Sequence, residues 1–135
     1  ASAAGAGAAG GVGFAALSLL DAEIRPGIDV VLDLIGFDDL LSDTQLVITG
    51  EGSLDLQSLR GKAPVGVARA AARRGVTTIA VAGRCSLSPE QLISADLQAA
   101  YPLSGLEPDP ATCMRDAGRL LEELAATVVG RHLRT

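Results

Sequence analysis

The pattern of hydrophobic and polar residues predicts two short buried strands near the centre of the chain. Gln45–Thr49 reads QLVIT and Thr77–Ala82 reads TTIAVA, and each run ends at a glycine, Gly50 or Gly83. Continuous β-favouring runs of this length are typical of strands in a parallel sheet, because helices cover both faces of such a sheet.

A helix is predicted between these two strands. Pro64 suits the first turn of a helix, and apolar residues recur at helical spacing from Val65 to Ala72. Arg73-Arg74-Gly75 then provides a basic last turn followed by a glycine stop. Strand, loop, helix, glycine and strand form one βαβ unit, which should have a right-handed crossover.

The segments before this unit predict two further helices. Phe14–Leu20 is so dense in apolar residues that it predicts a buried helix after a glycine-rich turn. Pro26 and Gly27 break the chain, and Ile28–Ile35 predicts an amphipathic helix with aspartates opposite its apolar face. A short turn is predicted around Asp38–Leu41.

The segments after the unit predict a capped helix, a third strand and a long final helix. Ser88, Pro89 and Gln91 have the order of an N-cap, a first helical residue and a third helical residue. Leu97–Leu103 predicts the strand, and Pro110–Leu133 carries apolar residues at helical spacing. The predicted fold class is therefore α/β, a parallel sheet with flanking helices.

Composition refines this fold and excludes several functions. A chain of 135 residues with 48% hydrophobic residues suits one domain with a core, and the 2% aromatic content predicts an aliphatic core. The net charge of -5 argues against a nucleic-acid partner. Two cysteines and one histidine cannot complete a Cys/His zinc site. The uncharged first 20 residues contain too many glycines for a membrane span and lack the basic residues of a signal peptide, so no membrane partner is predicted.

The segment Gly50–Lys62 carries the candidate chemistry, directly behind the first predicted strand. Ligands of open parallel sheets bind beyond the carboxyl ends of the strands, where loops and helix N-termini converge. The candidate residues are Glu51 and Asp55 for Mg²⁺ or a hydroxyl proton, Gln57 and Ser58 for a polar substrate, Lys62 for a phosphate, and Gly50 and Gly52 for close backbone approach.

A purely structural interpretation of this segment is equally open on spacing alone. Loops between strands and helices are commonly rich in Gly, Asp and Ser, so Glu51 or Asp55 could simply cap the next helix. Two nucleotide-binding motifs fail here. Gly5–Gly10 matches G-x-G-x-x-G without a preceding strand, and Gly61-Lys62 is followed by Ala63 where a Walker A loop needs Ser or Thr.

Three blocks of the sequence together resemble a known family. They are GAGAAGGVGFA (Gly5–Ala15), RPGIDVVLD (Arg25–Asp33) and LVITGEGSLDLQSLRGKAPVGVA (Leu46–Ala68). In this order they closely resemble the C-terminal third of bacterial glycerate kinases of the type I family. Members of this family are two-domain α/β enzymes, with one flavodoxin-like domain and one domain inserted in it, and they phosphorylate D-glycerate with ATP and Mg²⁺.

The resemblance implies a role for each matched loop residue. Glu51 and Asp55 would handle Mg²⁺ or the substrate hydroxyl, Gln57 would orient glycerate, and Lys62 would meet a phosphate or the glycerate carboxylate. It favours 2-phosphoglycerate as product and a cytoplasmic enzyme. At the position of Ser53 the family usually has Arg, so this chain lacks a cation there. At the position of Ser58 the family usually has Thr, so the hydroxyl is kept.

The resemblance also implies that this chain is incomplete. Other loops that the family carries, including an N-terminal segment, do not occur in it, so residues 1–135 are interpreted as the C-terminal segment of the flavodoxin-like domain, inactive alone. The missing N-terminal part of the same protein is the expected partner. Without it the chain should expose sheet edges and apolar helix faces, and form homo-oligomers or aggregates. Two alternatives remain: a truncated non-catalytic homologue that binds a small anion or another chain, and a flavodoxin-like or receiver-like domain whose loop is only structural.

Overall fold

A three-stranded parallel sheet organises the chain. The computed structural model describes residues 7–132, apart from the side chains of residues 8 and 129. The strands are β1 (Leu46–Leu54), β2 (Thr77–Cys85) and β3 (Ala99–Pro102), and β2 lies between the other two. Both strand pairs are parallel, which confirms the predicted α/β class.

The strands β1 and β2 are longer than the sequence predicts. The predicted strands end at Thr49 and Ala82, whereas the observed ones continue to Leu54 and Cys85. The glycines inside them allow the two backbones to approach closely, since a Cβ on Gly83 would lie 2.6 Å from the carbonyl oxygen of Gly52. Glycine marks close strand pairing here, and the prediction that it ends these strands is wrong.

Seven α-helices occur in the described part of the chain. They are α1 (Val12–Leu19), α2 (Gly27–Leu34), α3 (Phe37–Leu40), α4 (Ala63–Arg73), α5 (Pro89–Ser94), α6 (Pro110–Arg115) and α7 (Ala117–His132), with 3₁₀ turns at Ala8–Gly11, Ser58–Arg60 and Leu103–Gly105. The predicted cap of α5 is confirmed, because the Gln91 amide N–H donates to Ser88 Oγ at 3.3 Å and the Ser88 amide N–H donates to Gln91 Oε1 at 2.9 Å.

Two of the sequence predictions need correction towards the C-terminus. The long helix predicted over Pro110–Leu133 is two helices, since it is interrupted at Asp116, and residue 133 lies outside the described range. The third strand occupies only the central part of Leu97–Leu103. The opening of the glycine-rich segment, up to residue 6, is likewise outside the described residues.

Helices cover both faces of the sheet. Successive residues of a strand point to opposite faces, and Ile79 and Ala80 of β2 belong to two separate core clusters. One cluster joins the sheet to α4 and α5 through Leu54, Ala68, Ala80, Ala82, Leu87, Leu92 and Leu97. The other joins it to α6 and α7 through Ile79, Leu103, Cys113, Leu120, Leu124 and Val128. The core is aliphatic, as the composition predicts.

The helices before β1 are poorly covered. None of the residues of α1 is buried, so the prediction of a buried helix over Phe14–Leu20 is wrong for the part of the chain that is described. The helix α2 buries Leu32 and contacts α4, but Val31 remains 51% exposed. Hydrophobic density predicted burial, and no described element packs over α1 to provide it. No helix among residues 7–132 has the length and apolar character needed to cross a membrane.

Candidate active site

Glu51 is the centre of the polar cluster at the carboxyl end of β1. Its residue partner on β2 is Ala82, and its side chain is 23% exposed. Oε1 lies 3.1 Å from Lys62 Nζ, and Oε2 accepts a 2.8 Å hydrogen bond from Ser58 Oγ. Each carboxylate oxygen of Glu51 therefore faces a donor, and one of these donors, Lys62, is eleven residues further along the chain.

Ser58 holds this carboxylate from inside the protein. The residue is fully buried at 0% exposure, and its hydroxyl also lies 3.3 Å from the amide N of Asp55, which donates to it. It begins the 3₁₀ turn Ser58–Arg60. The geometry supports a positioning role for Ser58, while the predicted contact of Ser58 with a substrate stays a prediction.

Asp55 shapes the loop that leaves β1. Its Oδ1 accepts hydrogen bonds from the amides of Gln57 at 2.9 Å and Ser58 at 3.3 Å. The Gln57 amide lowers the pKa of Asp55 below its ordinary value, and the Ser58 amide and the charges of Lys62 and Arg84 act in the same direction against some desolvation. Asp55 is thus an ionised carboxylate at neutral pH.

The alternative that Asp55 caps the next helix is wrong. The α-helix that follows, α4, starts after Lys62 and has no side-chain cap, and the Asp55 carboxylate instead accepts the amides that lead into the 3₁₀ turn. Oδ2 of Asp55 makes no hydrogen bond within residues 7–132, so one oxygen of this carboxylate is available to a ligand.

The other predicted site residues lie around the same strand end. Gln57 is exposed, and its side chain makes no hydrogen bond in the described part of the chain. Lys62 is the residue before α4 and is 41% exposed at its side chain. Gly50 and Gly52 lie within β1, and a Cβ on Gly50 would approach the Val81 carbonyl oxygen to 3.0 Å.

Arg84 is a charged residue that the sequence predictions did not include. It lies opposite Ser53 in the register of β1 and β2, and its Nε donates a 3.0 Å hydrogen bond to Ser53 Oγ. The signal was present in the sequence, because Arg84 is the first charged residue after the apolar run of the second strand. The rule that ligands bind at carboxyl ends of strands applies to both strands equally.

Two adjoining clefts open at the carboxyl ends of β1 and β2. One has a volume of about 430 Å³ and is lined by Gly52, Ser53, Gly83, Arg84, Ser104 and Glu107, among others. The other has a volume of about 520 Å³ and is lined by Gly50, Glu51 and Gly52, among others. A third cleft, near Arg25 and Arg73, is remote from the strand ends.

Comparisons with known proteins show which family the chain belongs to. The model of the glycerate kinase family matches residues 1–133. The chain is 40% identical over 124 residues to a glycerate kinase of Halalkalibacterium halodurans, which covers 92% of this chain and 33% of that protein. It is 46% identical over 79 residues to the glycerate 2-kinase of Escherichia coli, covering 58% of this chain and 21% of that protein.

A solved structure has a similar fold. A crystal structure from Salmonella typhimurium LT2, assigned as glycerate kinase 2, superposes with a TM-score of 0.62 at 33% identity and covers 96% of this chain and 33% of that one. The chain thus spans a third or less of the length of these relatives. On the family model, which matches nearly all of the sequence, the chain belongs to the glycerate kinase family.

Proposed function

We propose that the complete gene product phosphorylates D-glycerate with ATP and that 2-phosphoglycerate is the product. The carrying observation is the cluster of Glu51, Ser58 and Lys62 at the carboxyl end of β1, in a chain of the glycerate kinase family. A relative named glycerate 2-kinase supports the position of phosphorylation. ATP as the phosphoryl donor follows from the same family, and we place the reaction in the cytoplasm.

Glu51 is suited to accept the proton of the attacking hydroxyl. Phosphoryl transfer needs the nucleophile and the transferred group to be positioned, with charge stabilisation around both. Glu51 is fixed by Ser58 and Lys62, so its carboxylate is oriented before the substrate arrives. A bound phosphate or carboxylate would compete with Glu51 for Lys62, which could then neutralise the substrate charge. Gln57, exposed beside this pair, would orient glycerate.

A Mg²⁺ ion fits this donor set through a small number of protein oxygens. No group of three or more potential ligand side chains (His, Cys, Asp, Glu) occurs among residues 7–132, but Mg²⁺ commonly binds one or two carboxylates together with water and substrate phosphates. Asp55 offers a free carboxylate oxygen, while both oxygens of Glu51 are occupied by donors. Asp55 would hold the ion with Glu51 beside it, and the ion would neutralise phosphate charge.

A further part of the same polypeptide is proposed to cover the apolar surface of the N-terminal helices. The relatives are about three times as long as this chain. In the chain itself, Leu19 is 80% exposed and Leu34 is 81% exposed. Residues 1–135 would then form the C-terminal segment of a flavodoxin-like domain. We expect the 135-residue chain to self-associate in sedimentation velocity, whereas the complete product should sediment as a discrete species; a monodisperse 135-residue monomer would contradict this.

Steady-state kinetics of the complete gene product tests the proposed activity. We expect ATP-dependent phosphorylation of D-glycerate, with the phosphate placed on the 2-hydroxyl in a ³¹P NMR spectrum of the product. Glu51→Gln removes the proton acceptor and should lower kcat by about 10²- to 10⁴-fold. The matched control is Glu122→Gln, an exposed glutamate of α7, which should leave kcat unchanged.

The outcomes separate the candidate functions. Unchanged turnover in both Glu51→Gln and Asp55→Asn would show that these two carboxylates take no part in the reaction. A folded complete product without turnover, but with calorimetric binding of glycerate or phosphate, would favour the non-catalytic anion-binding homologue. A folded complete product without any binding of Mg²⁺, ATP or glycerate would leave the loop with a structural role only.

A further inference from the structure

We propose that Arg84 and Ser53 form the position that binds the anionic end of a substrate, across the carboxyl ends of β1 and β2. The group bound is a carboxylate or a phosphate, and the inference rests on the proposed function for the identity of the substrate that carries it. Arg84 comes from the strand beside the acidic segment and would act as a binding residue, distinct from Glu51 and Lys62.

The hydrogen-bonding capacity of Arg84 supports this assignment. A guanidinium carries five N–H donors in a planar fork, and only Nε has a hydrogen-bond partner within the described residues, namely Ser53 Oγ at 3.0 Å. No carboxylate lies within salt-bridge distance of Arg84 in that part of the chain. The terminal nitrogens therefore remain for a bidentate contact with an oxyanion, the geometry for which arginine is best suited.

The surroundings of Arg84 leave room for such a ligand. The cleft beside it holds about 430 Å³, enough for a small acid or a phosphate group, and Gly52 and Gly83 contribute only backbone to its wall. Ser104 adds a hydroxyl to the same lining. Glu107 also lines the cleft, but its Oε1 accepts the amide N–H of Asp109 at 2.9 Å, and it makes no ion pair with Arg84.

The position is also correctly placed relative to the acidic cluster. Ser53 lies two residues beyond Glu51 in β1, so the two side chains project from the same face of the strand. Ser53 and Arg84 form the register pair two positions beyond Glu51 and Ala82, so a substrate held by Arg84 would lie at the same strand ends as Glu51.

The structure also revises what Ser53 means. The resemblance implies an arginine at position 53. The Ser53 hydroxyl instead accepts a hydrogen bond from the guanidinium of Arg84 on the neighbouring strand. The cation is thus present at the strand ends, although it is carried by residue 84. An exchange of the two residues should consequently preserve binding.

The test compares Arg84→Gln with the unsubstituted complete gene product. Two binding probes, D-glycerate and inorganic phosphate, are titrated by calorimetry, and KM is measured separately for glycerate and for ATP. We expect loss of the charged bidentate contact to weaken binding by about 10- to 100-fold for one probe. A raised glycerate KM identifies the carboxylate as the bound group, and a raised ATP KM identifies a phosphate.

Control variants separate this role from folding and from the proposed function. Arg60→Gln removes an exposed arginine of the adjacent 3₁₀ turn. It should leave both KM values and both calorimetric affinities unchanged. Arg84→Lys keeps charge without the fork and should be intermediate, and the exchange Ser53→Arg with Arg84→Ser should recover most of the lost affinity.

Two results are decisive against the inference. Changes below about twofold in both KM values and both calorimetric affinities for Arg84→Gln would overturn it. An equal loss in Arg60→Gln would also overturn it, because the effect would then be that of net charge. If the unsubstituted protein shows no turnover, the proposed function fails alone, since anion binding by it and by Arg84→Gln still decides the role of Arg84.

Discussion

The helices α1 and α4 both carry apolar residues, but they differ in their surroundings. Val65, Ala68 and Ala71 of α4 are completely buried, whereas no residue of α1 is buried and Phe14 is 52% exposed. The helix α4 connects two neighbouring parallel strands, so the crossover itself places its apolar face on the sheet. The helix α1 precedes the first described strand and has no such connection. The hydrophobicity of a helix indicates that it has an apolar face to bury. Only the topology decides whether another element packs against that face.

The largest effect should come from a charge in the interior face of α4. Val65→Asp buries a carboxylate without a partner and should cost about 4 kcal/mol of the free energy of unfolding. The matched change Phe14→Asp on α1 should cost less than about 0.5 kcal/mol in the same 135-residue chain. Urea denaturation at protein concentrations below self-association measures both values, and equal losses would show that α1 is packed in the monomer.

The same pair of variants sharpens the comparison in the complete gene product. If a further part of the polypeptide covers α1, Phe14→Asp should become destabilising by about 2 kcal/mol or more there, because its ring would then be buried. A cost for Phe14→Asp that remains near zero in the complete product would exclude α1 from that interface.

A methyl group at the strand ends should have the next largest effect. In Gly83→Ala the new Cβ would lie 2.6 Å from the Gly52 carbonyl oxygen, so the backbones of β1 and β2 must separate. We expect a cost of about 1–3 kcal/mol in thermal or urea unfolding. Gly105→Ala is the control, because nothing lies within 4 Å of a Cβ at Gly105, and equal costs for the two variants would contradict the close strand approach.

A smaller effect separates the capped helix α5 from the uncapped α1. Ser88→Ala removes the acceptor of the Gln91 amide and should cost about 1 kcal/mol. Ser18→Ala on α1 removes no hydrogen bond made within the described residues and should be neutral or slightly stabilising, because alanine favours helices. Circular dichroism during urea unfolding measures both free energies of unfolding. An unchanged value for Ser88→Ala would show that the capping box does not stabilise this region.

The smallest effect is the dependence of stability on pH at Asp55. The Gln57 amide lowers the pKa of Asp55 in the folded chain, so the folded state binds this proton more weakly than the unfolded state. The stabilisation is complete above the unfolded pKa and is lost as pH falls through the folded pKa. Asp55→Asn should therefore flatten the decline of stability between about pH 5 and pH 2. An unchanged decline in urea unfolding at each pH would contradict this.

The local features of the fold were predictable from the sequence. The βαβ unit and the capping box at Ser88 depend on residues a few positions apart, whereas the acidic segment was predicted as a loop behind the first strand although Glu51 lies within β1. The meaning of glycine was not predictable in the same way. Gly50 and Gly83 can end a strand or allow two strands to approach, and the choice depends on the neighbouring backbone.

The composition of the site was predictable only in part. The sequence placed Glu51, Asp55 and Lys62 in one segment. In the structure Glu51 pairs with Lys62, and Asp55 is joined to Glu51 only through Ser58. It could not show that Ser58 is buried beneath Glu51, because a serine in a glycine-rich loop has no pattern that indicates burial. It also gave no reason to connect Arg84 with Ser53, 31 positions earlier.

By itself, the sequence determined the family, the parallel βαβ unit and the chemical character of its loop. These depend on short-range spacing and on the residue identities of continuous segments. The tertiary structure alone decided which apolar faces are covered and which charges meet. Burial and ion contacts depend on surfaces brought together from distant positions, as Arg84 and Ser53 are by the register of two strands.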